Sequence, residues 1–136
     1  MDDVALNKAA IIERSIQRVR EVYAGDERNL SADRTRQDSI VLNLQRACEA
    51  AIDLAMHLVR VWRLGIPEEC RDAFSLLKSA GRLDDQLAER LQRMVGFRNV
   101  AIHGDQKLNL AIVRAIVDHH LDDLLAFVSL ALRLRV

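Results

Sequence analysis

Arg98, Asn99 and His103 are the side chains whose types and spacing could do chemistry together. They stand in the run Met94-Val95-Gly96-Phe97-Arg98-Asn99-Val100-Ala101-Ile102-His103-Gly104-Asp105. An arginine offers a planar fork of donors matched to phosphate, and a histidine with an unperturbed pKa of about 6.5 both takes and gives a proton. Together they are the minimum set for metal-free RNA cleavage, in which a ribose 2′-hydroxyl is deprotonated and attacks the adjacent phosphate. The same spacing also suits a plainer arrangement, a helix-end histidine bonded to a local carbonyl beside a solvated arginine.

The element that must position these groups reads as one helix from Leu83-Asp84 to Ile102, with Leu87, Leu91, Met94/Val95 and Ala101/Ile102 at helical spacing. Asp84 is its expected N-cap and Gly104 its stop. At 100° per residue, Asn99 and His103 stand about 40° apart, but Arg98 and His103 are splayed by about 140°. They converge only if the last turn unwinds at Gly104 or if a second copy of the helix supplies the missing partner.

The remaining elements follow the same periodic logic. A first helix capped by Asp2 or Asp3 runs to about Ala24, carries Ile12, Ile16, Val19 and Tyr23 on one stripe, and ends at Gly25. Polar residues 26–33 mark a connection. The longest helix, Arg34 to Arg63, has a broad apolar face built from Val41, Leu44, Cys48, Ala51, Ala55, Leu58 and Trp62, with Ile40, Ala47, Leu54 and Val61 on an adjacent line. Such a face implies burial between neighbours or against a second subunit. Beside it, Glu49, Asp53 and His57 recur every fourth residue. They form either a solvated ladder in which Asp53 supports His57, or a support in which Asp53 or His57 orients the Arg98/His103 site. Pro67 suits the first turn of a helix from Glu68 to Ala80, anchored by Phe74 and Leu77 and closed by Gly81. Asn109 caps a last helix to about Arg133, with Leu108 and Val113 as a hydrophobic staple and Val113, Ile116/Val117, Leu121, Leu124 and Val128 as its core stripe.

This pattern predicts an all-α, up-and-down bundle of four to five helices in a single domain spanning residues 1–136. Half the residues are hydrophobic, aromatics are 4% and there is one proline, a mix that favours helices. Net charge is zero, so no global field draws the chain to nucleic acid and any RNA contact is local. The 17 arginines against 3 lysines suit specific pairing with phosphate or carboxylate. The acidic amino terminus lacks the layout of a signal peptide, and no uncharged run is long enough to span a bilayer, so a cytoplasmic protein without a membrane partner is expected. Cys48 and Cys70 have neither C-x-x-C nor histidine at ligand spacing, and no Gly-rich phosphate loop occurs, so no cofactor or metal site is indicated. His119 and His120 point about 100° apart on a helix and cannot chelate one ion. Asp84-Asp85 and Asp122-Asp123 read as caps and wet face.

The run Gly96 to His103 resembles the Arg-Asn-x-x-x-His signature of HEPN-domain proteins, and is most similar to the HepT-type toxins of MNT–HEPN toxin–antitoxin systems. The likeness extends over Asn7-Lys8, Ile12-Glu13-Arg14 and Arg18 to Tyr23, over Asn43 to Leu58, and over Leu121 to Phe127. The resemblance implies a dimeric HEPN bundle in which the helix ends of two subunits form a composite cleft. It implies a metal-independent endoribonuclease in which His103 acts as acid or base, Arg98 stabilises the phosphorane and Asn99 orients His103 or the sugar. RNA rather than DNA is the expected substrate, and a nucleotidyltransferase antitoxin of the MntA type the expected partner. In many such toxins the antitoxin attaches AMP to a tyrosine two residues after the histidine. Here that position is Asp105, and Tyr23 is the chain's one tyrosine. A different class stays open beside this one, a non-catalytic helical interaction or nucleotide-binding module that partners a nucleotidyltransferase.

Overall fold

The computed structural model describes residues 2–102 and 109–133, excluding the side chains of 95 and 98–102. Seven helices and no strand occur among the described residues. Helix α1 (Asp3–Tyr23) starts where the Asp2 carboxylate accepts the Ala5 amide at 3.1 Å. Its stripe of Ile12, Ile16, Val19 and Tyr23 is buried as the spacing predicts. It ends in two left-handed residues, Ala24 (φ 51°) and Gly25 (φ 70°).

The 26–33 connection is not wholly irregular. It contains a single turn, α2 (Arg28–Ser31), pinned by Leu30 in the core and by the Asp26 carboxylate on the Arg28 amide at 3.0 Å. One apolar residue makes no period, so the pattern carries no sign of it.

Helix α3 (Arg34–Val61) begins with Asp33 accepting the Arg36 amide at 3.1 Å. It stops short of the expected Arg63, because Arg63 itself takes a left-handed conformation at φ 54°. The Arg63 amide bonds the Arg60 carbonyl at 3.2 Å and the Leu64 amide bonds the Val59 carbonyl at 3.0 Å. This is a Schellman closure with an arginine at the position that usually holds glycine.

Helix α4 (Cys70–Ser79) starts later than Pro67 suggests. Asp72 reaches back to the Glu68 and Glu69 amides at 3.1 and 2.9 Å, which places the cap at Glu69. Gly81 (φ 73°) closes α4 as predicted. Helix α5 (Asp85–Ile102) follows.

The expected single C-terminal helix is two, α6 (Leu110–His119) and α7 (Leu121–Arg133). His120 breaks it at φ −123°, ψ 0°, and its Nδ1 bonds the Asp123 carboxylate at 3.0 Å. The apolar stripe runs through this junction without a gap, which is why periodicity reads one helix. Asn109 caps α6 as expected, accepting the Ala111 and Ile112 amides.

Helices α1 and α3 form the spine and run antiparallel, as the Lys8–Asp53 and Arg36–Val22 contacts require. Helices α4, α5 and α7 pack on α3, and α7 also packs on α1. The core lies between them, with Phe74 of α4 meeting Phe127 of α7 edge to face at 5.6 Å. No helix among the described residues is long and apolar enough to cross a membrane.

Candidate functional site

Helix α5 carries the motif, and its first three turns are held by a cap, a buried stripe and bonds to α4 and α7. Asp84 accepts the Gln86 and Leu87 amides at 3.1 Å, the predicted cap. Leu87, Ala88, Leu91, Met94 and Phe97 are all buried. The amide of Gln92 donates to the Arg71 carbonyl of α4 at 3.1 Å. The guanidinium of Arg90 donates to Asp123 of α7 at 3.1 Å. At the near end, Arg82 stacks over Trp62 at 4.8 Å. Arg98 and Asn99 thus sit on the last turn of a helix whose position is fixed by packing up to Phe97. His103 and Asp105 lie outside the described residues, as do Gly104 and Leu108.

Asp123 was expected on a wet face. Its side chain is only 14% exposed and joins Arg90 and His120, so it bridges α5 to the α6–α7 junction.

Asp53 and His57 each have a partner from the N-terminal segment. Asp53 pairs with Lys8 at 3.0 Å. The His57 Nε2 meets the Asp2 carboxylate at 2.7 Å, and its Nδ1 lies 3.3 Å from the Arg60 guanidinium. The Ala5 amide, then His57, holds the Asp2 carboxyl below the ordinary carboxylate range. Asp2 therefore caps α1 and ties it to α3 at once. Sequence spacing suggested the cap but had no way to show the cross-helix contact.

Tyr23 is 8% exposed and its hydroxyl donates to Asp118 of α6 at 2.9 Å. Burial, then that carboxylate, pushes its pKa above the ordinary phenol value. Cys48 is buried against apolar neighbours, and burial pushes its thiol up to about 12, which makes it an inert hydrophobe. Among the described residues no group of three histidine, cysteine or acidic side chains could hold a metal ion.

A solved structure of the tri-AMPylated Shewanella oneidensis HEPN toxin in complex with its MNT antitoxin is similar over 98% of this chain and 99% of that one, with TM-score 0.91 and 46% identity. A toxin–antitoxin structure with AMP-PNP matches over 97% and 99%, with TM-score 0.91 and 45% identity. The fold is therefore that of the HEPN toxins. The mRNA nuclease HepT of Shewanella oneidensis is 47% identical over 129 residues, which span 95% of this chain and 96% of that protein. The family model described as "Ribonuclease HepT-like" matches residues 12–131, and the chain belongs to that family.

Proposed function

We propose that this chain is the ribonuclease toxin of a toxin–antitoxin pair, a metal-independent endoribonuclease that works in the cytoplasm as a homodimer of single-domain protomers. The observation that carries the reading is the 47% identity to an mRNA nuclease along nearly the whole of both chains. The placement of Arg98 and Asn99 on the last turn of a well-anchored α5 supports it.

In the reaction, His103 removes the proton from a ribose 2′-hydroxyl. The 2′-oxygen attacks the adjacent phosphorus, the bond to the 5′-oxygen breaks, and a second histidine returns a proton to that leaving oxygen. The products are a 2′,3′-cyclic phosphate and a 5′-hydroxyl. Arg98 stabilises the charge that builds on the phosphorane, and Asn99 orients His103 or the sugar. Two histidines are supplied when the α5 ends of two protomers meet, which also resolves the angular splay of Arg98 and His103 along one helix. RNA is the substrate, and DNA, which lacks the attacking hydroxyl, is not. Asp53 and His57 already bind Lys8 and Asp2, so we assign them to holding α1 on α3.

A nucleotidyltransferase of the MNT type is the proposed antitoxin, since the similar solved structures are complexes with one. The Shewanella toxin is AMPylated in its complex. Here Asp105 stands where a tyrosine acceptor would, and Tyr23 is buried and bonded to Asp118. Neutralisation of this chain on this reading proceeds by binding and occlusion or by modification of a residue other than tyrosine. Asp105 also favours a second reading, a catalytically silent module held by that partner, because a carboxylate repels phosphate. Purified wild-type protein, Arg98→Ala and His103→Ala incubated with RNA in EDTA separate the two readings. Cleavage by the wild type alone supports the nuclease, and an inert wild type freed of partner supports the module.

A further inference from the structure

We propose that the cleft between α1 and α3 lined by Ile11, Arg14, Ser15, Asn43 and Arg46 is a subsite for the phosphate backbone of RNA. It rests on the ribonuclease reading. The cleft is open and measures about 500 Å³. Two exposed arginines line it, and no acid does among the described residues.

Its charge is unlike that of its surroundings. On one side along the same seam, Lys8 pairs with Asp53 at 3.0 Å and His57 meets Asp2 at 2.7 Å. On the other, Arg36 pairs with Asp33 at 3.3 Å and also donates to the Val22 carbonyl at 3.0 Å. Arg18 and Arg36 of the neighbouring cleft on this seam are likewise paired, with Glu21 and Asp33, whereas neither Arg14 nor Arg46 makes an ion pair among the described residues. Another cleft with two arginines lies between α5 and α6, lined by Arg90, Arg93 and His120. Those cations are already neutralised, Arg90 and His120 by Asp123 and Arg93 by Glu89. The α1/α3 cleft keeps its charge for something outside the protein.

Its floor is polar and built into the core. Ser15 and Asn43 are 5% and 7% exposed. Asn43 is held in place by its amide on the Ser39 carbonyl at 2.8 Å. Among the described residues no hydrogen bond engages the Ser15 hydroxyl, yet none of their buried side-chain polar atoms is left without a partner. The hydroxyl therefore reaches solvent through the cleft. Two guanidinium forks above a free hydroxyl donor fit a phosphodiester oxyanion, and in a chain of zero net charge such local donors must replace a general field.

The test uses a labelled 2′-O-methyl RNA, which the 2′-hydroxyl mechanism cannot cut, so that binding is read apart from catalysis. Arg14→Gln/Arg46→Gln is compared with wild type and with Arg28→Gln/Arg34→Gln, which removes the same charge elsewhere. The proposal expects about tenfold weaker binding for the first pair only, and a log–log salt dependence flattened by about 1.4, at roughly 0.7 per phosphate contact on a single strand. Cleavable RNA should show a raised KM with kcat retained. Equal loss in both pairs, or none in either, overturns the subsite. So does unchanged RNA binding with a changed oligomeric state or weakened capture of the nucleotidyltransferase, which would make the cleft a protein surface. Unchanged KM in the Arg14/Arg46 variant, beside a dead His103→Ala, removes the subsite and leaves the nuclease standing. A wild type that neither binds nor cleaves RNA removes both.

Discussion

Single residues divide into groups that do chemistry and groups that hold the frame. His103→Ala should lower cleavage roughly a hundredfold to ten-thousandfold, the range of a positioned acid or base, with the helical circular dichroism spectrum retained. A variant that keeps full cleavage in EDTA would refute the assignment. Tyr23 is the opposite case. Its folded pKa is raised above the unfolded value, so the stability it contributes is present at neutral pH and is lost as pH rises into the phenol range. Being the one tyrosine, it gives a single tyrosinate absorbance step, expected above the ordinary phenol value in the folded protein and at that value in urea. Co-expression with a nucleotidyltransferase should leave Tyr23 without AMP in peptide mass spectra. An AMP adduct there would contradict the neutralisation without tyrosine AMPylation argued from its burial.

At the scale of elements, stability is concentrated in helix ends and cross-helix ties. Arg63 closes α3 in a left-handed conformation that costs a non-glycine residue about 1 kcal/mol or more. Arg63→Gly should therefore raise stability by up to about 1 kcal/mol, read as a shift in the urea midpoint. A lowered midpoint would show that the arginine side chain outweighs the strain. Asp2→Ala should cost about 1 kcal/mol as a lost cap and more through the lost His57 contact. Because the folded Asp2 pKa is depressed, its contribution is present above the unfolded carboxylate value and disappears as pH falls through the folded one. Wild type and variant should thus converge in stability at acid pH. Where side chains cap locally, as at Asp84, Asp33 and Asn109, the sequence was legible, since a cap and its helix lie within three residues. Where the deciding partner is far away it was not. The break at His120 depends on Asp123 and on packing against α5, and the apolar stripe passes through it unchanged. The turn at α2 offers one buried leucine and no period.

At the scale of the whole molecule, the fold class, the motif helix and the family were readable from the chain because they rest on long periodic segments and on one contiguous run of residues. The α1/α3 cleft was not, because Arg14 and Arg46 are 32 positions apart and only the tertiary pairing of two helices brings them together. If the proposed composite site supplies the convergence of Arg98 and His103, the protein should sediment as a dimer at twice its 15.4 kDa chain mass. A strictly monomeric, active enzyme would contradict the composite site. The decisive measurement for the ribonuclease is to incubate RNA in EDTA with the wild type, Arg98→Ala and His103→Ala and to identify the ends produced. A ribonuclease of this mechanism leaves 2′,3′-cyclic phosphate and 5′-hydroxyl ends from the wild type and loses cleavage in both variants. Undiminished cleavage by either variant, or different ends, would contradict it.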